Sequence, residues 1–206
     1  MSLSNKIKQH CPHCNHEQEL IYHQSVNITL DPEMKNKVLA GKLNQNFCIN
    51  CNKEINIVSG FLYHDMKNQI MLELAVKTEE EDKEESKKAV IQDLISKGYI
   101  YRVVDEYERL VEKIHIFDNK LNDIVVQKIA DKMKNMLDES IKQVKETSAD
   151  FNFNVFFHKL EKGLFKHQIY FYCYDHPSQV FEMKFNLKNL EEEEKNNLYN
   201  LDILRK

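Results

Sequence analysis

Cys11-Pro12-His13-Cys14 and Cys48-Ile49-Asn50-Cys51 are two C-x-x-C pairs separated by thirty-three residues. A C-x-x-C turn brings its two sulfurs to one side of the backbone, and two such knuckles facing each other close a four-sulfur cage suited to a tetrahedral d¹⁰ ion. The expectation is one structural zinc on Cys11, Cys14, Cys48 and Cys51. Four thiolates fill a tetrahedral shell and leave no position for water or substrate, so the site points to folding rather than catalysis. Thirty-three residues exceed a plain hairpin, and a small subdomain is expected between the knuckles.

Two other chemistries fit parts of this pattern. C-P-H-C is also a tetrapeptide of thioredoxin-like disulfide oxidases. Such a pair follows a buried strand and opens a long helix, whereas only ten residues, most of them polar, precede Cys11, and the stretch after Cys14 alternates like a strand. Mixed ligation would recruit His10, His13, His16, His23 or His64, which lie close to the cysteines in sequence or can fold near them.

At 206 residues with 42% hydrophobic content, the chain supports one well-packed domain or two small ones. No apolar run reaches the length of a membrane span, and Met1-Ser2-Leu3-Ser4-Asn5-Lys6 lacks the apolar stretch of a signal peptide, so a soluble cytoplasmic protein is expected. Five cysteines, four of them in metal-type pairs, fit a reducing compartment better than a disulfide framework. The net charge is −4, and residues 1–76 balance seven Lys against seven Asp and Glu. That lacks the basic stripe from which nucleic-acid binders draw non-specific affinity, so the expected partner is a protein, with neither duplex DNA nor membrane. Abundant Lys, Asn, Ile and Glu beside little Gly, Pro and Arg fits genomic base composition as much as selection for function.

Outward from the first knuckle, Leu20, Tyr22, Val26, Ile28 and Leu30 alternate with polar residues from Glu17 to Leu30, the period of a half-buried strand. Asp31-Pro32 then starts a helix with Asp31 as cap, Met34, Val38 and Leu39 as its buried stripe and Gly41 as its left-handed stop. Beyond the second knuckle, Ile55 and Ile57, then Phe61 to Asp65, then Ile70, Leu72 and Leu74 after a Lys67-Asn68 turn, predict a meander of three strands.

These residues resemble the CpXC domain proteins of bacteria and archaea, named for paired C-P-x-C motifs. The resemblance is carried by C-P-H-C, by Val26-Asn27-Ile28-Thr29-Leu30-Asp31-Pro32-Glu33, by Leu62-Tyr63-His64-Asp65-Met66, and later by Tyr101-Arg102-Val103-Val104, Glu112-Lys113-Ile114 and Ile116-Phe117-Asp118. It covers about two-thirds of the chain. The second knuckle departs from it, with Ile49 where the family commonly has proline, which costs no ligand. The resemblance implies no particular activity, the family's function being uncharacterised.

The charged run Lys77 to Lys88 reads as a linker or helix start dividing residues 1–76, a zinc ribbon-like subdomain, from an α+β domain over residues 89–206. Helices are expected across residues 89–146. The first carries Ala89, Val90, Leu94 and Ile95 and stops at Gly98, and Tyr99 to Val104 forms a short strand. Asp105 with Glu108 makes a capping box for a helix bearing Tyr107, Leu110, Val111 and Ile114 and ending near His115. A long helix then bears Leu121, Val125, Ile129, Met133, Met136, Leu137, Ile141 and Val144, as core or as a dimer seam, with packing inside the chain favoured. From residue 151 to 187, Phe151, Phe153, Val155 and Phe157, then Ile169, Phe171 and Cys173, then Phe181, Met183, Phe185 and Leu187 alternate along three strands of an antiparallel sheet. Its turns fall at Glu161-Lys162-Gly163 and Asp175-His176-Pro177-Ser178, and a closing helix spans Glu191 to Asn200. Cys173 is expected to be an inert buried thiol. Tyr170, Tyr172 and Tyr174 share the opposite face, where they pack under other elements or offer a stacking platform for single-stranded nucleic acid.

Candidate acids and bases are Tyr63, His64, Asp65, Asp118, Asp123, His158 and His167, with His64-Asp65 read first as a hydrogen-bonded turn. They form no recognised catalytic signature, and with four glycines the chain carries no phosphate loop. The reading is therefore an α+β protein built as a zinc-stabilised interaction or regulatory module, with a single-strand binder and an enzyme of unknown reaction as the other classes. The charge balance predicts no measurable affinity for duplex DNA at physiological salt. Fluorescence anisotropy with a labelled duplex checks this, and micromolar binding overturns it.

Overall fold

In a computed structural model of the chain, which describes residues 2–76, 84–144, 153–163, 167–175 and 179–205, the residues ahead of the first knuckle are extended. Strand β1 (Leu3–His10) pairs antiparallel with β2 (Glu17–Asn27), and Cys11 to Cys14 lie in the turn between them. β1 is exposed along its whole length, so no apolar alternation could announce it. β2 is shorter than the alternation suggested, because Asn27 turns the chain: its Oδ1 accepts from the amides of Thr29 (3.1 Å) and Leu30 (3.2 Å), leaving Leu30 exposed.

Helix α1 (Glu33–Leu39) follows, with Val38 buried. Its start differs from expectation, since Pro32 occupies the cap position and Asp31 contributes a main-chain carbonyl to Met34 N–H (3.2 Å) rather than a side-chain cap. Gly41 takes φ +68°, the left-handed stop predicted for it. Strands β3 (Gln45–Phe47) and β4 (Glu54–Asn56) then form a separate two-stranded sheet carrying the second knuckle.

The expected three-strand meander is therefore corrected, because Ile55 pairs back with β3. The next strand, β5 (Phe61–Asp65), starts a new course parallel to β2, with Ser25 opposite Leu62 and Asn27 opposite His64, and pairs antiparallel with β6 (Ile70–Leu74). Gly60 marks the break. A Cβ there would lie 2.5 Å from the Leu74 carbonyl oxygen, so only glycine lets the chain pass this close. Along both strands every second residue is buried, Phe61, Tyr63 and Asp65 on one and Ile70, Leu72 and Leu74 on the other.

Helix α2 (Glu84–Ser96) starts earlier than Ala89, so the end of the charged run is helical, while its residues 77–83 lie outside the described residues. Its expected stripe is not core: Val90 is 60% exposed and Ile95 is exposed, while Leu94 is half-buried. Gly98 at φ +81° ends it, and β7 (Ile100–Val104) joins parallel to β6. The sheet order is β1-β2-β5-β6-β7, mixed rather than wholly antiparallel. Two compact units result, Met1–Val111 with Arg205–Lys206, and Glu112–Leu204. The division lies beyond the charged run because β7 belongs to the first unit's sheet. Within that unit the Arg205 guanidinium donates to Gln69 Oε1 (2.9 Å), to the Asn68 carbonyl (3.2 Å) and to the Gly98 carbonyl.

Helix α3 (Tyr107–Asp118) contains the division, and α4 (Asp123–Val144) lies in the second unit. Asn122, fully buried, caps α4 by accepting from the amides of Ile124 (2.9 Å) and Val125 (3.4 Å). Strands β8 (Asn154–Lys162), β9 (His167–Tyr174) and β10 (Phe181–Asn186) form the predicted antiparallel sheet in the order β10-β9-β8. Phe151 and the turn residues 176–178 lie outside the described residues. One apolar cluster gathers Val125, Val126, Ile129 and Met133 with Val155, Phe157, Ile169, Phe171 and Cys173, and Leu190 and Leu198 flanking α5 (Glu192–Asn197) join it. The long helix thus packs inside the chain through Met133, with Leu137 partly buried against the same cluster and Met136 58% exposed.

Strict alternation fails in β8, where Val155, Phe156 and Phe157 are all buried. A bulge lies between Phe157 and Lys159, and the amide of Phe157 donates to the buried carboxylate of Glu112 (2.7 Å). Glu112→Ala leaves that amide without its acceptor and is expected to cost about 2–3 kcal/mol. Urea unfolding measures it, and a change within about 0.5 kcal/mol, the range of ordinary surface substitutions, would show that the carboxylate is not needed there.

Candidate metal centre

The two knuckles repeat one backbone plan. Cys11 N–H donates to the His16 carbonyl and Cys48 N–H to the Lys53 carbonyl, both at 2.9 Å, while Asn15 and Asn52 donate back to Cys11 and Cys48 at 2.9 and 2.8 Å. Asn15 (φ 58°) and Asn52 (φ 54°) are left-handed, a conformation asparagine tolerates better than most residues with a Cβ. The sequence carries a signal for it, since each pair runs on into asparagine as Cys14-Asn15 or Cys51-Asn52.

Side-chain amides position the second hairpin against β2. The Asn46 amide group pairs with both backbone groups of Ile21, accepting from its N–H and donating to its carbonyl, each at 3.0 Å. Asn44 Oδ1 accepts from His23 N–H (2.8 Å). Gln18 reaches the other way, donating to the Phe47 carbonyl (3.1 Å) and accepting from Ile49 N–H (2.9 Å) beside the knuckle. These amides act as short stretches of strand pairing where no continuous ladder runs. Among the described residues, apolar support comes from a cluster of Leu20 and Ile55 with Cys11 and Cys48, flanked by Cys51 and Ile57.

The four cysteine sulfurs lie within 4.8 Å of one another, so this group can hold a metal ion. Cys11 Sγ is 3.7 Å from Cys51 Sγ, and Cys14 Sγ is 3.5 Å from Cys48 Sγ. A metal–sulfur distance of about 2.3 Å places the corners of a tetrahedron about 3.8 Å apart, close to these contacts. All four thiols are free of disulfides. Cys11 and Cys48 are buried, Cys51 is intermediate and Cys14 is exposed. The Asn50 amide, 3.6 Å from Cys14 Sγ, and the backbone at His16 draw the Cys14 thiol down to about 6. The backbone at Lys53 draws Cys51 down as well, but burial and the neighbouring thiols outweigh it and push Cys51 up to about 12. Charging one sulfur makes the next harder to charge, and a divalent cation removes that conflict.

The chain context does not favour the redox reading, since β2 rather than a helix follows Cys14. Of the five candidate histidines two take other partners, His23 Nδ1 lying 3.2 Å from Asn44 Oδ1 and His64 Nε2 3.0 Å from Tyr99 Oη, while His10, His13 and His16 are exposed. Burial lowers the His64 pKa. Asp65 closes the β5–β6 turn, accepting from Asn68 N–H (3.0 Å) and Nδ2 (2.6 Å), so His64-Asp65 is a turn feature, although the two are not bonded to each other. Tyr63 is buried and shares its face with Asp65, away from His64. In the second unit, buried Asp123 pairs with Lys113 Nζ (2.7 Å), Asp118 ends α3, and exposed His167 opens β9.

The three tyrosines have cross-strand partners from β8. Tyr174 stacks on Phe156 (centroids 5.8 Å, 6° between planes), Tyr172 lies 4.0 Å from the His158 ring with its hydroxyl 3.0 Å from Nε2, and Lys159 Nζ sits 4.6 Å over Tyr170. These rings serve the sheet's own face first. Cys173 is fully buried, and burial pushes its thiol up to about 11. Among the described residues no helix is long and apolar enough to cross a membrane.

A sequence model described as CpXC protein matches residues 9–148, which include both knuckles. No curated protein and no solved structure matches the chain.

The left-handed asparagines generate a prediction for the centre. Asn52→Val forces a β-branched residue to φ near 54° and is expected to cost about 1–3 kcal/mol, whereas Asn52→Gly stays near the parent stability. Thermal melts of both variants check this, and equal melting temperatures would show that the knuckle does not depend on that conformation.

Proposed function

We propose that this chain, which belongs to the CpXC protein family, binds one zinc ion through Cys11, Cys14, Cys48 and Cys51 and acts as a cytoplasmic, zinc-stabilised interaction or regulatory module with a protein partner. The observation that carries the reading is the donor set itself: four sulfurs from two similar knuckles, in cross-knuckle contact at 3.5 and 3.7 Å. Soft thiolates in a tetrahedral arrangement select zinc over hard cations, and a closed shell offers no open coordination position. Zinc-ribbon architecture fits the same pattern, with one knuckle at the β1–β2 turn and the other on the β3–β4 hairpin. A structural role also accounts for the small apolar cluster around the site, since metal binding supplies folding energy that Leu20 and Ile55 alone do not.

Protein purified without added metal is expected to carry about one zinc per chain by elemental analysis. Cys48→Ser should lose most of that zinc. Hydrogen exchange on the variant should show lost protection in β2, β3 and β4 with retained protection in β8, β9 and β10, whose cluster of fourteen buried side chains contains no knuckle residue. Metal-free protein that is fully folded would sink the zinc assignment.

A further inference from the structure

The four sulfurs are not equally protected. The first cysteine of each pair, Cys11 and Cys48, is buried, Cys51 is intermediate, and Cys14 is exposed. The residues beside Cys14 are exposed as well: His13, Asn15 and, across the knuckle, Asn50, whose Nδ2 lies 3.6 Å from Cys14 Sγ. Cys14 therefore combines an open approach from solvent with a buried sulfur close behind it, because Cys48 Sγ is 3.5 Å away. Cys173, outside the cluster, has no exposed surface and serves as an internal reference.

From this asymmetry we propose that Cys14 is the modification site of the centre, the sulfur at which a peroxide oxidises the protein and opens the metal shell. The inference rests on the zinc reading and adds the order in which the ligands react. A hydroperoxide delivers oxygen to the Cys14 thiolate: the S–O bond forms, the O–O bond breaks, the sulfur loses two electrons to become a sulfenic acid, and hydroxide leaves. The Cys48 thiolate then attacks the Cys14 sulfur, forming the S–S bond while the S–O bond breaks and a second hydroxide departs. Two thiolates and one hydrogen peroxide thus give one disulfide and two hydroxides. The disulfide joins the two knuckles, in contrast to the Cys11–Cys14 bridge of the redox tetrapeptide, and only two thiolates remain for the ion. Loss of metal follows from the ligand count.

The test uses the full-length protein as purified, with its zinc content measured first. Hydrogen peroxide is added with a chromogenic zinc chelator present, and samples are alkylated and peptide-mapped over time. Zinc release should match the loss of the Cys14 thiol one for one, a Cys14–Cys48 cross-linked peptide should accumulate, and Cys173 should stay unmodified. In limiting N-ethylmaleimide, Cys14 should be labelled first among the four. Earlier loss of Cys51, zinc retained after Cys14 is oxidised, or a Cys11–Cys14 bridge as the main product would overturn the proposal while leaving the zinc assignment standing. Folded protein without zinc would overturn both.

Discussion

The two knuckles of the first unit converge on four sulfur atoms that lie within 4.8 Å of one another. Among the described residues, the apolar cluster at the sulfurs holds Leu20 and Ile55 with the half-buried Ile57 against it. Fully burying one such side chain stabilises by about 1.5–3 kcal/mol, while ordering each residue's backbone costs about 1–2 kcal/mol, so two short hairpins with that core cannot hold themselves together by burial. What joins them is local and polar: the convergence of the knuckles and the amides of Gln18, Asn44 and Asn46 laid against the neighbouring backbone. The second unit is built on a continuous apolar cluster between α4 and its sheet, with buried polar groups in caps, at the bulge and in the Lys113–Asp123 ion pair.

What could be read in the sequence follows this contrast. Cysteine spacing, the stops at Gly41 and Gly98, and the three aromatic strands each depend on residues near in sequence, and each is found in the structure. The pairings that could not be read are long-range. β5 lies parallel to β2 and β7 parallel to β6, and neither partner is set by a turn, so the apolar runs of Phe61 to Asp65 and Ile100 to Val104 announced strands without saying whom they would join. β1 was invisible for another reason, since an edge strand exposed on every residue carries no periodic signal.

Asparagine shows the limit of compositional reading. Its abundance fits base composition as well as function, and the structure gives several of these residues work: Asn15 and Asn52 hold left-handed positions after the knuckles, Asn44 and Asn46 replace missing strand pairing, Asn27 turns the chain out of β2, and Asn122 caps α4. Each role uses a short side chain that mimics a peptide group, which a hydropathy pattern counts only as polar. The buried carboxylate of Glu112 is a similar case, because its helical spacing gave no hint that its acceptor would serve the bulged strand β8.

The exposed strand β1 has a further consequence, for solubility. It stands at the rim of the five-stranded sheet and presents eight residues of extended backbone, the form on which a second chain can add a strand and start aggregation. Lys6 and Lys8, with His10, project from one face of that strand, and Lys6 is paired with Glu19 at 3.1 Å. A copy laid antiparallel along this edge would bring lysines close to lysines and would compete for the carboxylate that Lys6 already holds. Charged side chains on an edge strand are a device that resists further strand pairing, and these two lysines serve that end while contributing little to the stability of the fold.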